Sequence, residues 1–214
     1  MSETGDHGRV RASYDTVAEE YRQRIGGELA GKPLDRALLG VLAEEAAGSG
    51  TPVADLGCGP GHVAGWLAER GVRVVGIDLS PAMVGIARRE HPGVEFRQGD
   101  LLDLPAADGE FGAAVALYSV IHLEPAELRP AFAQMRRVLR PGGCLLLAFH
   151  LGTEVRHLDE WWGHQVEVDF HFLESEAVAG LLTDAGFTVE ARLERTNLPQ
   201  EAETRRGYLL ARRD

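Results

Sequence analysis

Apolar positions recur along this chain at two periods. Val10, Tyr14, Val17, Ala18, Tyr21 and Ile25 fall at helical spacing and predict a helix over residues 9–24. A second helix is expected to start after Pro33 and reach about Ala47. It would turn Leu34, Leu38, Leu39, Val41 and Leu42 inward, and Gly48-Ser49-Gly50 would end it. Short apolar runs then alternate with helical segments. Strand 53–56 precedes a helix over 62–70 that Gly71 closes. Strand 72–77 precedes a helix over 81–90, with Ser80 as N-cap and Pro81 in the first turn. Strand 94–97 leads to a loop and a weak helix near 100–110, strand 112–117 to a helix over 125–139, and strand 143–149 closes the series. Such alternation predicts a doubly wound α/β domain, with a mostly parallel sheet and helices on both faces through right-handed crossovers.

After Phe149 the pattern changes. Val166, Val168, Phe170 and Phe172 alternate with Gln165, Glu167, Asp169 and His171, the signature of a half-exposed strand. A helix over 174–185, Gly186, and strands near 187–196 and 206–212 follow, the last two pairing antiparallel at the sheet edge. The expectation is one seven-stranded Rossmann-like domain over residues 1–214. Its parts would be a loose tail (1–8), a helical cap (9–47), a core (51–149), a lid inserted over 150–172, and a closing helix and strand pair (173–214).

Composition narrows the function. The 214 residues hold 44% hydrophobic and 26% charged side chains, a globular balance. The net charge of −11 disfavours nucleic acid as a partner. Only two cysteines are present, Cys58 in a glycine-rich turn and Cys144 in an apolar strand. That points to a reducing compartment such as the cytoplasm rather than a disulfide framework. No run approaches the roughly 18 apolar residues of a membrane span, and the polar start MSETGDHG lacks an apolar export signal.

The densest chemistry lies in Val53-Ala54-Asp55-Leu56-Gly57-Cys58-Gly59-Pro60-Gly61. A short strand ends in an acid and enters a turn with glycines at 57, 59 and 61. These glycines let the backbone fold tightly and meet a ligand without an intervening side chain. A helix start beyond them favours an anionic group, and Asp55 is placed to meet a cation. On this reading a valine at Gly57 or Gly59 would block the ligand and leave the fold largely intact. The spacing is G-x-G-x-G, which differs from the dinucleotide G-x-G-x-x-G and disfavours a nicotinamide dehydrogenase.

This turn resembles the first motif of the class I S-adenosylmethionine-dependent methyltransferases. Three further segments extend the likeness in order: Asp78-Leu79 after the second strand, Gln98-Gly99-Asp100-Leu101 after the third, and Leu139-Arg140-Pro141-Gly142-Gly143 before the fifth. The resemblance implies that S-adenosylmethionine is the cofactor. Its methionine end would lie on Asp55, Gly57, Cys58, Gly59 and Gly61. Asp78 would hold both ribose hydroxyls, Leu79 and Met83 would lie against the adenine face, and Asp100 with the Leu101 N–H would meet the adenine edge. Tyr14 and Tyr21 belong to an N-terminal "Y-D-x-x-A-x-x-Y" pattern that, by the same resemblance, folds over the methionine end. Tyr118-Ser119-Val120-Ile121-His122 would close the pocket mouth; it lacks the Pro-Pro-aromatic signature of nucleic-acid amino-methylating relatives.

The implied reaction is in-line displacement at the sulfonium methyl, with a small molecule as acceptor. A hydroxyl or carbon acid needs a base, most often imidazole. His122 and His150 both follow strands at the carboxyl edge of the sheet, where ligands bind in such folds, and are the catalytic candidates. Trp161, Trp162 and His171 are candidates to line the acceptor side. Arg205 and Arg206 are either surface residues or partners of a substrate carboxylate. His157, Asp159, His164, Asp169 and His171 match no compact ligand spacing, so no metal is expected. Two alternatives stay open: a non-methylating enzyme of cyclase or pericyclase type on the same cofactor, and a non-catalytic cofactor-binding partner. The acceptor, the atom methylated, and the choice of monomer or homodimer are not legible.

Overall fold

The computed structural model describes residues 6–214. The expected tail falls partly outside that range; of its residues, those from Asp6 onward already belong to helix α1 (Asp6–Ile25). A 3-10 turn over Glu28–Gly31 leads to α2 (Pro33–Ser49), which Gly50 closes in the left-handed conformation at φ 66°. Of the residues expected to face inward, Leu39 and Leu42 are fully buried. Val41 is instead 37% exposed, because it lies on the side of α2 turned away from the sheet.

The alternating stretch then forms β1 (Val53–Leu56), α3 (His62–Ala68), β2 (Val74–Asp78), α4 (Pro81–Glu90), β3 (Glu95–Gln98), β4 (Phe111–Leu117), α5 (Pro125–Val138) and β5 (Leu139–His150). The Ser80 hydroxyl caps α4 by accepting the Met83 N–H, as the Ser-Pro pair predicts. The weak helix near 100–110 does not form. Asp100 Oδ1 accepts the Leu102 N–H at 2.9 Å, and this Asx-type turn competes with helix at its first residue.

The sheet order is β3-β2-β1-β4-β5-β9-β8, where β8 is Phe187–Arg195 and β9 is Arg206–Arg213. Strands β1 to β5 pair parallel, and β9 runs antiparallel to both β5 and β8. The last strand thus lies inside the sheet. Its Tyr208, Leu209 and Ala211 are buried from both sides, whereas Glu190, Arg192 and Glu194 keep β8 at the edge. Successive β1 residues feed opposite layers: Ala54 and Leu56 pack with α5 and α6 (Ser175–Asp184), and Val53 packs with α2 and α3.

The segment after β5 is a hairpin of β6 (Val155–Trp161) and β7 (His164–His171), of which the alternation revealed only the second strand. Its two-residue loop is Trp162-Gly163, both at positive φ (55° and 85°), as a type I′ turn requires. Trp162 is an unusual residue there, which hid the turn. Its ring lies 4.9 Å from that of Trp161, and the Arg24 guanidinium sits over it at 5.1 Å. Strand β7 is stitched to α1 through Ser13, whose hydroxyl donates to the Glu167 carbonyl (3.0 Å) and accepts the Glu167 N–H (2.9 Å). The alternation breaks at its end: His171, expected on the polar face, is only 6% exposed, as is Phe172. There the chain turns in to β5, with the Leu173 N–H donating to the His150 carbonyl.

Candidate active site

The carboxyl ends of β1, β2, β3 and β4 open into one cleft that α1 covers. At its floor the Gly57 and Cys58 N–H groups both reach back to the Ile77 carbonyl (2.7 and 3.1 Å), which folds the turn across β2. Gly57 and Gly59 take φ of 76° and 53° and line the cleft. The two differ in what surrounds them. A Cβ at Gly59 would meet only Tyr21 Cε1, at 3.9 Å, whereas one at Gly57 would fall 2.3 Å from the Ser119 Cβ. The Ser119 hydroxyl is itself fixed on the Leu56 carbonyl at 2.8 Å. The expectation that a side chain at Gly57 disturbs only a ligand is therefore corrected: that position is closed by protein.

Asp78 ends β2 inside the cleft. Its carboxylate accepts the Gly59 N–H (2.7 Å) and the Ser80 N–H (2.8 Å), one on each oxygen. Each oxygen keeps a further lone pair for a ligand donor. Burial pushes the carboxyl up to about 6 despite those two bonds. Asp100 and Leu101 line the end of the cleft beyond Asp78, with Leu79 between. Asp100 is also engaged by a residue that sequence reasoning assigned to the tail. His7 Nδ1 lies 2.6 Å from Asp100 Oδ2, and His7 Nε2 lies 3.3 Å from Glu127 Oε2.

The other end is aromatic. Tyr14 and Tyr21 line the cleft, and their rings meet edge-on at 5.8 Å. The Trp161 ring closes on both, at 5.5 and 5.8 Å, from the tip of the hairpin. His122, on the 3-10 turn after β4, lines the cleft beside them. Its Nδ1 lies 3.0 Å from the Asp169 carbonyl, which can only accept, so the proton sits on Nδ1. In the neutral ring its Nε2, 2.7 Å from the Tyr14 hydroxyl, is then the acceptor of the hydrogen bond that hydroxyl donates. Desolvation drives Tyr14 well above the usual phenol range, with Tyr21 and Asp78 adding to the shift.

Tyr118 also lines the cleft, at a left-handed φ of 56°. A non-glycine residue there stores on the order of 1–3 kcal/mol. Its N–H is held by the Ala148 carbonyl (2.8 Å), and its hydroxyl lies 3.2 Å from that of Tyr208.

Several expected residues stand elsewhere. Asp55 is 2% exposed and faces α3, where it accepts the Ala64 N–H at 3.0 Å; burial raises it to about 7. It supports the turn from below and does not line the cleft. Cys58 and Met83 are core residues, 2% and 0% exposed. Gly61 is the left-handed N-cap of α3, and a Cβ there would meet Phe96, Ala87 and His91, away from the cleft. His150 lies beneath the cleft between Tyr118 and Phe172 (5.1 and 5.3 Å), bonded to the Thr204 hydroxyl at 2.9 Å. Burial, then the charges of Arg206 and Arg156, lower it to about 4, so it is neutral near pH 7. His171 faces Glu124 (3.8 Å), and the Trp162 ring lies over Tyr21 at 6.0 Å, outside the lining. Arg206 is buried against Glu201, whereas Arg205 is exposed and paired with Glu194. His157 and Asp169 form an exposed pair at 2.7 Å, and among the described residues no group of three acidic, histidine or cysteine side chains converges as metal ligands do.

Sequence reasoning missed His7, Val10, Ile77, Leu117 and Leu123, which line the cleft. The Y-D-x-x-A-x-x-Y pattern pointed to the same helix further along, but nothing in the sequence ties His7 to Asp100.

Residues 53–143 match the family model described as a methyltransferase domain. An uncharacterized methyltransferase of Synechocystis sp. is 31% identical over 150 residues, covering 65% of this chain and 68% of that protein. The chain belongs to the class I S-adenosylmethionine-dependent methyltransferases. A malonyl-[acyl-carrier protein] O-methyltransferase of Pectobacterium atrosepticum is 31% identical over 156 residues, covering 72% of this chain and 55% of that longer one. In fold, the methyltransferase matches a crystal structure of magnesium protoporphyrin IX methyltransferase from Synechocystis PCC 6803 with bound S-adenosylmethionine, at a TM-score of 0.75 and 20% identity over 98% of each chain. The residues present fit that cofactor. Asp78 offers free lone pairs, the backbone at Gly59 is open toward the cleft, and the aromatic end borders the glycine turn. Among the described residues, no helix of the methyltransferase is long and apolar enough to cross a membrane.

Proposed function

We propose that this methyltransferase methylates a small molecule whose accepting atom, a hydroxyl oxygen or an acidic carbon, gives up a proton through Tyr14 and His122. Bound in the cleft, S-adenosylmethionine supplies an electrophilic sulfonium methyl. The protein's part is alignment of the acceptor at about 3–3.5 Å, exclusion of water, and removal of that proton.

The observation that carries this reading is the pair of bonds on His122. The Asp169 carbonyl holds Nδ1–H, which leaves Nε2 as the basic nitrogen, and the Tyr14 hydroxyl occupies it at 2.7 Å. An acceptor proton therefore passes to Tyr14 Oη as the Tyr14 proton passes to His122 Nε2. The two transfers are concerted, because burial holds Tyr14 too far above the usual phenol range for a phenolate to accumulate. His150, neutral and beneath the cleft, supports Tyr118 and takes no proton.

Residues 9–47 and the hairpin within 150–172 act as the acceptor cover, with Trp161 against Tyr14 and Tyr21 as its inner wall. A small acceptor in the cytoplasm suits the net charge of −11 and two free, buried cysteines.

The test is release of S-adenosylhomocysteine from a panel of phenols, hydroxy acids, carbon acids and amines, with wild type, Tyr14→Phe and His122→Ala. The expectation is turnover of an acceptor that must lose a proton, a loss of about 10²–10⁴-fold in kcat for His122→Ala, and a pH–rate profile in that variant without its acidic limb. Turnover of amines alone, indifferent to both substitutions, would refute the relay. Consumption of an acceptor with no S-adenosylhomocysteine formed would favour the cyclase alternative.

A further inference from the structure

We infer that His7 is a cofactor-retaining residue: by bridging Asp100 and Glu127 it straps the first turn of α1 across one end of the cleft, and it must let go each time cofactor exchanges. The inference rests on reading the cleft as the cofactor site.

Helix α1 is anchored along most of its length by other contacts. Ala18, with Tyr14 and Tyr21, packs on Met83 and Ile86 of α4. Ser13 is bonded to β7, and Asp15 accepts the Ser80 hydroxyl (2.5 Å) and the Ala82 N–H (3.1 Å). These contacts begin one turn further along the helix. Before them, Val10 and His7 line the cleft; His7 ties this turn to the rim of the cleft, while the exposed Arg9 reaches Glu167 of β7 at 3.7 Å.

The two acids it meets are held in place by backbone. Asp100 Oδ1 is bonded to the Leu102 N–H, and Glu127 Oε2 to the Glu124 N–H, both at 2.9 Å. They come from different elements, the loop after β3 and the first turn of α5. Both ring nitrogens of His7 face carboxylates, which only accept, so the bound form of the ring is the imidazolium. The bond to Asp100 is the main reason its pKa stands at about 9, opposed by burial. Burial would raise Asp100, but the His7 bond and the Leu102 N–H outweigh it and hold the acid below its ordinary value.

The strap crosses the path of a ligand. His7, Val10, Asp100 and Leu101 line the end of the cleft beyond Asp78. A ligand seated on Asp78 and reaching that end lies under the first turn of α1. While His7 holds Asp100 the ligand is covered, and when it releases, the turn can lift with the rest of α1 still anchored.

Stopped-flow measurement of S-adenosylhomocysteine association and dissociation tests this on wild type, His7→Ala, His7→Gln and Glu127→Gln. Glu127 does not line the cleft, so its variant loosens the strap without removing a lining side chain. The expectation is dissociation about three- to tenfold faster in His7→Ala, as fits one partly screened charge-assisted bond. Association should also quicken, and the other two variants should shift the same way by less. Faster hydrogen exchange in the first turn of α1, with the rest of the helix unchanged, should accompany it. Unchanged rates in all three variants would overturn the proposal, as would faster dissociation in the His7 variants alone with normal association and exchange, which marks a mere contact. Failure of wild type to bind S-adenosylhomocysteine would overturn the reading of the cleft instead.

Discussion

Cofactor affinity should depend on pH through Asp78. In the free protein burial holds this carboxyl near 6, with the Asp15 charge adding to the shift and the Ser80 and Gly59 N–H groups opposing it. Ribose hydroxyls reaching its free lone pairs would favour the ionised form. Each charge-assisted bond is worth roughly 1.5–3 kcal/mol before the loss of water partners. A net gain of about 1.4–2 kcal/mol for the ionised form lowers the carboxyl by roughly one to one and a half units, at 1.36 kcal/mol per unit. The sign follows. Binding selects the carboxylate, so affinity is full above about pH 6 and is lost as pH falls through the free-protein value. Between pH 7.5 and 4.5 the dissociation constant of S-adenosylhomocysteine should rise by about eight- to sixteenfold, and near pH 5.5 binding should release about half to two thirds of a proton. Isothermal titration in two buffers of different ionisation heat reads both quantities. Asp78→Asn should lose the slope and also bind weaker at every pH, by about 2–4 kcal/mol, because its amide must turn a donor toward the Gly59 or Ser80 N–H. Asp55→Asn is the control, because that second raised acid lies outside the cleft. Flat affinity over this range with no buffer-dependent heat, or an Asp78→Asn protein that keeps the slope, would refute the assignment.

Two other outcomes separate support from contact with ligand. Gly59→Ala should cost only about 1 kcal/mol of stability, for its left-handed φ, while weakening cofactor binding; Gly57→Ala should cost about 3 kcal/mol or more, because its Cβ collides with Ser119. Thermal melts and titration of both variants check this, and equal stabilities would contradict the packing. Asp55→Asn should gain stability over wild type as pH rises. The wild-type acid has a folded pKa of about 7 against an ordinary 3.8, so its penalty is absent below 3.8 and complete above 7, whereas asparagine keeps the bond from the Ala64 N–H without ionising. Urea melts at pH 5 and pH 8 decide it; a variant relatively weaker at pH 8 would mean the acid is not penalised by burial.

The chain announces its core through local rules. The Ser80-Pro81 start of α4, the run of β1, and the glycine turn each depend on residues close in sequence, where backbone sterics and capping act without help. The alternation of strand and helix then admits few topologies, so the parallel order around β1 was legible, as was the end of β2 that places Asp78. The elements misread are those where distant partners decide. The weak helix after β3 gave way to a carboxylate that found a backbone N–H, and the hairpin was half hidden because its turn uses Trp162, held by Trp161 and Arg24. Within the site, residue type alone could not separate Asp55 from Asp78 or His150 from His122. Each pair shares a chemistry and a place at or near the carboxyl end of a strand; only packing buries one member among protein groups and leaves the other facing the cleft. His7 is the extreme case. Its partners lie 93 positions and more along the chain, beyond any periodicity or motif, and folding alone brings an imidazole between two carboxylates. Local propensity and pattern are properties of neighbours in sequence, and they determined the scaffold. Burial, tautomer and charge pairing are properties of neighbours in space, and only the tertiary structure decided them.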